Sequence, residues 1–174
     1  GVQVLDVRNA VEYAGGHLKG SLNIGLGGKF ATWAGTILDP KRSIVIIAEP
    51  GYEKEAIQRL GRIGFDRVLG YLNGGMQSLE VNPDVVQKVQ RISAQGLAEL
   101  VTTSHPPMVI DVRSEKEWES GHIDRSINIP LPHLAQHVHD IPADTPVVVH
   151  CASGYRSSTA IGILELAGRT QAMD

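Results

Sequence analysis

Val4-Leu5-Asp6-Val7-Arg8 returns as Val109-Ile110-Asp111-Val112-Arg113, and this repeated stretch decides how the chain is read. The correspondence continues through Glu12/Glu117, Tyr13/Trp118, Gly16/Gly121, His17/His122, Ser21/Ser126, Asn23/Asn128 and Ile24/Ile129 at a constant offset of 105. Of the 21 residues from Val4 to Ile24, 10 are identical to their counterparts, a density chance does not produce, so the chain is a duplication of one unit. A second anchor aligns Ile44-Val45-Ile46 with Val147-Val148-Val149 and Gly51-Tyr52 with Gly154-Tyr155. Its offset is 103, which puts two extra residues of the first unit within 25–41.

Each unit reads as strand, loop and helix, then a second strand, a turn and a helix. Val4–Val7 and Val109–Val112 are short apolar β-branched runs, as are Ile44–Ile46 and Val147–Val149. Ser21–Ile24, Ser126–Ile129 and Val68–Leu72 read as further strands, the last followed by the turn Asn73-Gly74-Gly75. Helices are expected over Ala10–Tyr13, Lys54–Ile63, Ala94–Thr102, Ser114–Glu119 and Ser157–Leu166, with Ser114 and Glu117 in capping-box spacing. Alternating short strands and helices predict an α/β fold, each unit a central parallel sheet flanked by helices. The first unit is expected over 1–80 and the second over 94–174, with a polar linker at 81–93 that contains Asn82-Pro83. Relative to one complete unit, the first looks trimmed at its N-terminus and the second at its C-terminus.

The chain has 174 residues, 42% hydrophobic and 20% charged, ordinary for a soluble globular protein. A net charge of −3 leaves no basic footprint for nucleic acid, and no apolar run is long enough to span a bilayer. A single cysteine excludes an internal disulfide. With no charged-then-apolar leader in view, it points to a reducing compartment, most simply the cytosol. The start at Gly1 without Met suggests a fragment of something longer.

That cysteine stands in His150-Cys151-Ala152-Ser153-Gly154-Tyr155-Arg156-Ser157-Ser158, between an apolar strand and a helix. A thiol at a strand-to-helix turn faces the helix's N-terminal amides, which favour thiolate over thiol, and Arg156 adds a cation. The alternative is a buried structural cysteine, common for free thiols. Two homologous halves supply an internal control. Ala48 holds the position of Cys151 and Glu53 that of Arg156, while the Asp-Val-Arg, Glu, Gly-His and Ser-x-Asn-Ile elements persist in both. The shared elements therefore build the fold. His122 illustrates this, because His17 holds its place in a half with no thiol to activate. His133, His137 and His139 have helical spacing but no further ligands beside them, so no metal site is assigned. Gly25-Leu26-Gly27-Gly28 lacks the strand-to-helix context of a dinucleotide loop. Trp33 and Trp118 read as core or interface.

Taken together, Asp-Val-Arg, Glu-Trp/Tyr, Gly-His-Ile/Leu, Asn-Ile and the Cys-x-x-Gly-x-Arg-Ser turn resemble the rhodanese domain, twice in tandem. The resemblance implies two rhodanese-like α/β units, the first without its cysteine, and a sulfurtransferase that carries sulfur as a persulfide on Cys151. Small sulfur donors and thiophilic acceptors are the implied partners, with no nucleic acid, membrane or cofactor. The loop from Cys151 to Arg156 would cradle the sulfur with its amides. Ala152, Ser153, Gly154, Tyr155, Arg156 and Ser157 are thereby the implied substrate-binding residues. Gly154 would permit the tight turn, Arg156 would bind an anionic donor, and Ser157 would cap the helix. No Asp near the loop in sequence offers itself as a general acid. Cysteine phosphatases and arsenate reductases place Cys and Arg on a similar loop one residue longer and form the alternative enzyme class. A non-catalytic interaction module is the reading for the first unit. Gly27–Gly35 and Ala48–Gly51 further resemble rhodanese units attached to metallo-β-lactamase-fold proteins, which implies an upstream metal-binding domain and a role in sulfide or persulfide metabolism.

Overall fold

The short β-branched runs form the inner strands of two parallel sheets, because a strand covered by helices on both faces must be apolar along its length. The computed structural model describes residues 1–142 and 144–174, which divide into two units, Gly1–Lys88 and Val89–Asp174.

In the first unit the elements run β1 (Val2–Asp6), α1 (Ala10–Gly15), β2 (His17–Leu18), β3 (Ser21–Asn23), α2 (Phe30–Ile37), β4 (Ser43–Ile47), α3 (Glu53–Gly61), β5 (Val68–Tyr71) and β6 (Val86–Gln87). The sheet has the order β3-β1-β4-β5 with every pair parallel. Leu5, Ile44, Ile46, Ile47 and Leu60 are fully buried around it, each worth roughly 1.5–3 kcal/mol of burial. The helix α2 falls in the segment that holds the extra residues of this unit, where sequence pattern alone assigned no element.

The second unit runs α4 (Ala94–Leu100), β7 (Met108–Asp111), α5 (Glu115–Glu119), β8 (Ile127–Asn128), α6 (Leu131–His137), β9 (Val147–His150), α7 (Tyr155–Leu166) and β10 (Ala172–Met173). Its sheet, ordered β10-β9-β7-β8 and again all parallel, repeats the topology of the first. The short β10 takes the place of β5 beside the strand that leads to Cys151. The capping box at Ser114 and Glu117 forms as the sequence predicts.

The stretch 81–93, read from composition as a polar linker, is divided between the units and carries its own structure. Pro83–Val85 makes a short 3-10 turn, and β6 pairs antiparallel with β2.

The residues shared by the two halves are structural clips. Arg8 donates to the fully buried Asp6 carboxylate at 2.6–3.2 Å and to the Gly16 carbonyl at 2.8 Å. Arg113 repeats this with Asp111 and Gly121. Asn23 donates to the carbonyls of Asp6 and Arg8, and Asn128 to those of Asp111 and Arg113. His17 stacks on Tyr13 and His122 on Trp118, each with Nδ1 on the carbonyl of the residue beneath it. The arrangement is the same with or without a cysteine in the unit, as architecture requires.

Candidate active site

Cys151 follows directly on β9, an inner strand of its sheet, and so sits at the carboxyl end of the parallel strands, where open α/β sheets bind ligands. The chain then turns through Ala152 and Ser153, both exposed, to Gly154. Gly154 has φ +83°, a left-handed conformation in which a side chain is strained, and it precedes the first residue of α7. This turn aims the Gly154 N–H at the sulfur, with N to Sγ 3.2 Å.

Burial of the thiol pushes its pKa up, but the Ser157 hydroxyl and the backbone amides of Ser153, Ser157 and Gly154 outweigh burial and bring it below the ordinary thiol value. The first turn of a twelve-residue helix thus supplies the electropositive surroundings that the sequence predicts.

One sequence assignment within the loop changes, and another residue gains a second partner. Ser157 does not cap the helix, because α7 begins at Tyr155 with Gly154 as its cap residue. Ser157 instead lies buried inside the first turn, its hydroxyl 3.6 Å from Cys151 Sγ and in a short hydrogen bond to Asp174 Oδ1. Arg156 faces two partners: the Glu117 carboxylate raises its pKa most, and Cys151 raises it further. Its two terminal nitrogens donate to the two Glu117 oxygens at 2.7 and 2.8 Å, a bidentate pair. The Arg156 guanidinium first, then the Ser114 amide and hydroxyl, hold the Glu117 carboxyl well below the usual carboxylate range. Arg156 thereby ties the cysteine loop to α5. Tyr155, half-buried, opens the helix.

A cavity of about 270 Å³ opens at the sulfur. Of the sequence-predicted site residues, Cys151, Gly154 and Ser157 line it, whereas Ala152, Ser153, Tyr155 and Arg156 do not. Its cation is Arg91, which sequence reading assigned to the linker. Ile92, Leu97, Ile123 and Val148 give it an apolar wall, and His150 and Asp174 add polar groups. Arg91 Nε lies 3.6 Å from Asp174 Oδ2, and the Arg91 Nη2 lies close enough to Gly154 that an added Cβ there would meet it at 3.4 Å. Sequence reading found no Asp near the loop. Asp174 reaches it because the backbone of Asp174 hydrogen-bonds to Gln90 and Ile92 beside β10.

The first unit offers the contrast. Ala48 is buried where the thiol would be. Gly51, also left-handed at φ +98°, donates its N–H to Glu53 Oε2 at 2.8 Å. The amide that faces sulfur in one unit is answered by a carboxylate in the other. A neighbouring cavity, also of about 270 Å³, is edged by Glu12 and Glu49.

Among the described residues no group of three or more His, Cys, Asp or Glu is placed to hold a metal ion. His137 bonds to Asp140 at 2.9 Å on the exposed surface. No helix among them is long and apolar enough to cross a membrane.

The uncharacterized protein YqhL of Bacillus subtilis is 41% identical over 63 residues, 36% of this chain and 50% of that protein. A protein named sulfurtransferase from Allochromatium vinosum is 28% identical over 76 residues, 44% of this chain and 71% of that one. The chain thus spans half the length of the Bacillus relative. Among solved structures, a thiosulfate sulfurtransferase from Pseudomonas aeruginosa aligns over 93% of this chain and 34% of its own, at 20% identity and a TM-score of 0.43. The model of the rhodanese-like domain matches residues 1–81 and again 93–173, so the chain belongs to the rhodanese-like family, with two such domains in tandem.

Proposed function

We propose that the second unit is a sulfurtransferase that carries sulfane sulfur on Cys151. The observation that carries this reading is the convergence of the Gly154 amide, with those of Ser153 and Ser157, on one sulfur at the carboxyl end of β9. The Cys151 thiolate attacks the outer sulfur of a donor, forming a new S–S bond as the donor's own bond to that sulfur breaks. The donor leaves with the electron pair, as sulfite from thiosulfate or as a thiolate from a persulfide. An acceptor such as cyanide, sulfite or a thiolate then attacks the terminal sulfur and regenerates the Cys151 thiolate. The loop amides hold the negative sulfur in both halves of the cycle. Family membership and the relative named sulfurtransferase support this class of reaction.

Arg91, which lines the cavity, joins Arg156 on the loop in receiving the anionic end of the donor. A cavity of about 270 Å³ has room for roughly nine water-sized groups, more than the five heavy atoms of thiosulfate require. A low-molecular-weight persulfide with an organic body against Ile92, Leu97 and Ile123 fills it better. This agrees with the first unit's resemblance to rhodanese units joined to metallo-β-lactamase-fold proteins, and a persulfide-handling fusion is the setting we assign. Covalent storage of sulfur predicts parallel double-reciprocal plots when donor and acceptor are varied together, and intersecting lines contradict it. Arg91→Gln is expected to raise the donor KM about tenfold and leave kcat within about threefold, since it removes one charge-assisted contact. An unchanged KM removes Arg91 from donor recognition.

The first unit serves as a non-catalytic module, because Ala48 offers no nucleophile. Installing a thiol should not create a reactive one. In a Cys151→Ser background, Ala48→Cys is expected to titrate at or above about 8.5, the ordinary thiol value. Burial and the nearby Glu53 carboxylate both oppose the thiolate there. The pH profile of alkylation measures this, and a midpoint well below that value contradicts the assignment.

A further inference from the structure

Asp174 is the one carboxylate at the cysteine pocket that the sulfur-transfer cycle does not use. Its side chain is only 7% exposed, and Ser157 lies between it and the sulfur. Ser157 Oγ is 3.6 Å from Cys151 Sγ and bonds to Asp174 Oδ1. A serine hydroxyl has one hydrogen to give. When Asp174 is ionised it accepts that hydrogen, and the Ser157 oxygen can then only accept from the thiol. When Cys151 is ionised, its sulfur needs the same hydrogen. Both anions cannot be served at once.

We propose that Asp174 governs how readily Cys151 ionises, by competing with the sulfur for the single hydrogen of Ser157. The Ser157 hydroxyl is the leading support of the Cys151 thiolate against burial, so the contested hydrogen is the one that matters most. Burial also raises the Asp174 pKa, against the opposing pull of Ser157 and Arg91, which brings the two competitors closer together. Protonation of Asp174 reverses the chain: its O–H donates to Ser157 Oγ, and Ser157 donates to the sulfur. The other charged or titratable groups here are Arg91, 3.6 Å from Asp174 Oδ2, and His150, which lines the same cavity. Arg156 on the loop pairs with Glu117 and also faces Cys151. Asp174 is a positioning residue, acting on the sulfur through Ser157. The proposal concerns ionisation alone and holds whether or not sulfur is transferred.

The test is the pH dependence of Cys151 alkylation by iodoacetamide in the full chain. Asp174→Asn keeps the shape and supplies an amide that can donate to Ser157. It should lower the midpoint by about one unit, a tenfold gain in the ratio of thiolate to thiol. In a Ser157→Ala background the same substitution should move the midpoint by less than half as much, because the route through the hydroxyl is gone. An unchanged midpoint in Asp174→Asn overturns the proposal. So does an equal shift with and without Ser157, which would mean that charge acts through space alone.

Discussion

Cys151→Ser is expected to abolish sulfur transfer, with kcat falling about a thousandfold or more. Losing the nucleophile of a covalent cycle removes the intermediate itself. A serine hydroxyl at this position has the same amides aimed at it, yet it stays protonated at neutral pH and has little affinity for sulfane sulfur. Steady-state assays with thiosulfate and with glutathione persulfide, each with cyanide as acceptor, measure the loss. The fold should be indifferent to the change: Cys151 is half-buried, and its replacement is close in size and shape. Unfolding free energies of wild type and variant from urea denaturation should agree within about 0.5 kcal/mol. Residual turnover within tenfold of wild type would move the chemistry off Cys151.

Arg8→Met should produce the largest loss of stability among the shared residues, about 3–5 kcal/mol by urea denaturation followed in the first unit. Asp6 is fully buried and Arg8 nearly so, and the guanidinium satisfies both carboxylate oxygens as well as the Gly16 carbonyl. Burial raises the Asp6 pKa even with Arg8 in place, so without its partner the carboxyl would take up a proton rather than remain a buried charge. The equivalent Arg113→Met should cost less. Arg113 is more exposed, and Asp111 has a second neighbour in His150, whose Nε2 lies 3.4 Å from Oδ2. Equal losses at the two sites would show that burial of the pair is not what sets its worth.

The duplicated scaffold could be read from sequence because its clips are local. Asp6 and Arg8 lie two residues apart, and the capping residues Ser114 and Glu117 three apart, so spacing alone reveals them. Cys151 was equally legible, as a thiol between a β-branched run and a helix. The walls of its pocket were not. Arg91 and Asp174 lie far from Cys151 along the chain. They meet it only because β10 pairs with β9 while Asp174 exchanges backbone hydrogen bonds with Gln90 and Ile92. No pattern within a window of residues reports such a meeting. The ion pair of Arg156 was hidden for the same reason, because its partner Glu117 comes from a different element. The repeat held a clue to that pairing. Glu12 and Glu117 correspond, but the residue aligned with Arg156 is Glu53, so an acid–acid combination in one half is acid–base in the other. The helix start was displaced from Ser157 to Tyr155 because Gly154 adopts the left-handed turn, which sequence permits but does not announce.

The most direct test of the central claim is the intact mass of the chain after exposure to glutathione persulfide and removal of excess donor. The account predicts that wild type gains the mass of one sulfur atom, that peptide mapping locates it on Cys151, and that cyanide removes it stoichiometrically. An unmodified wild type, or an added sulfur that persists in Cys151→Ser, would contradict it.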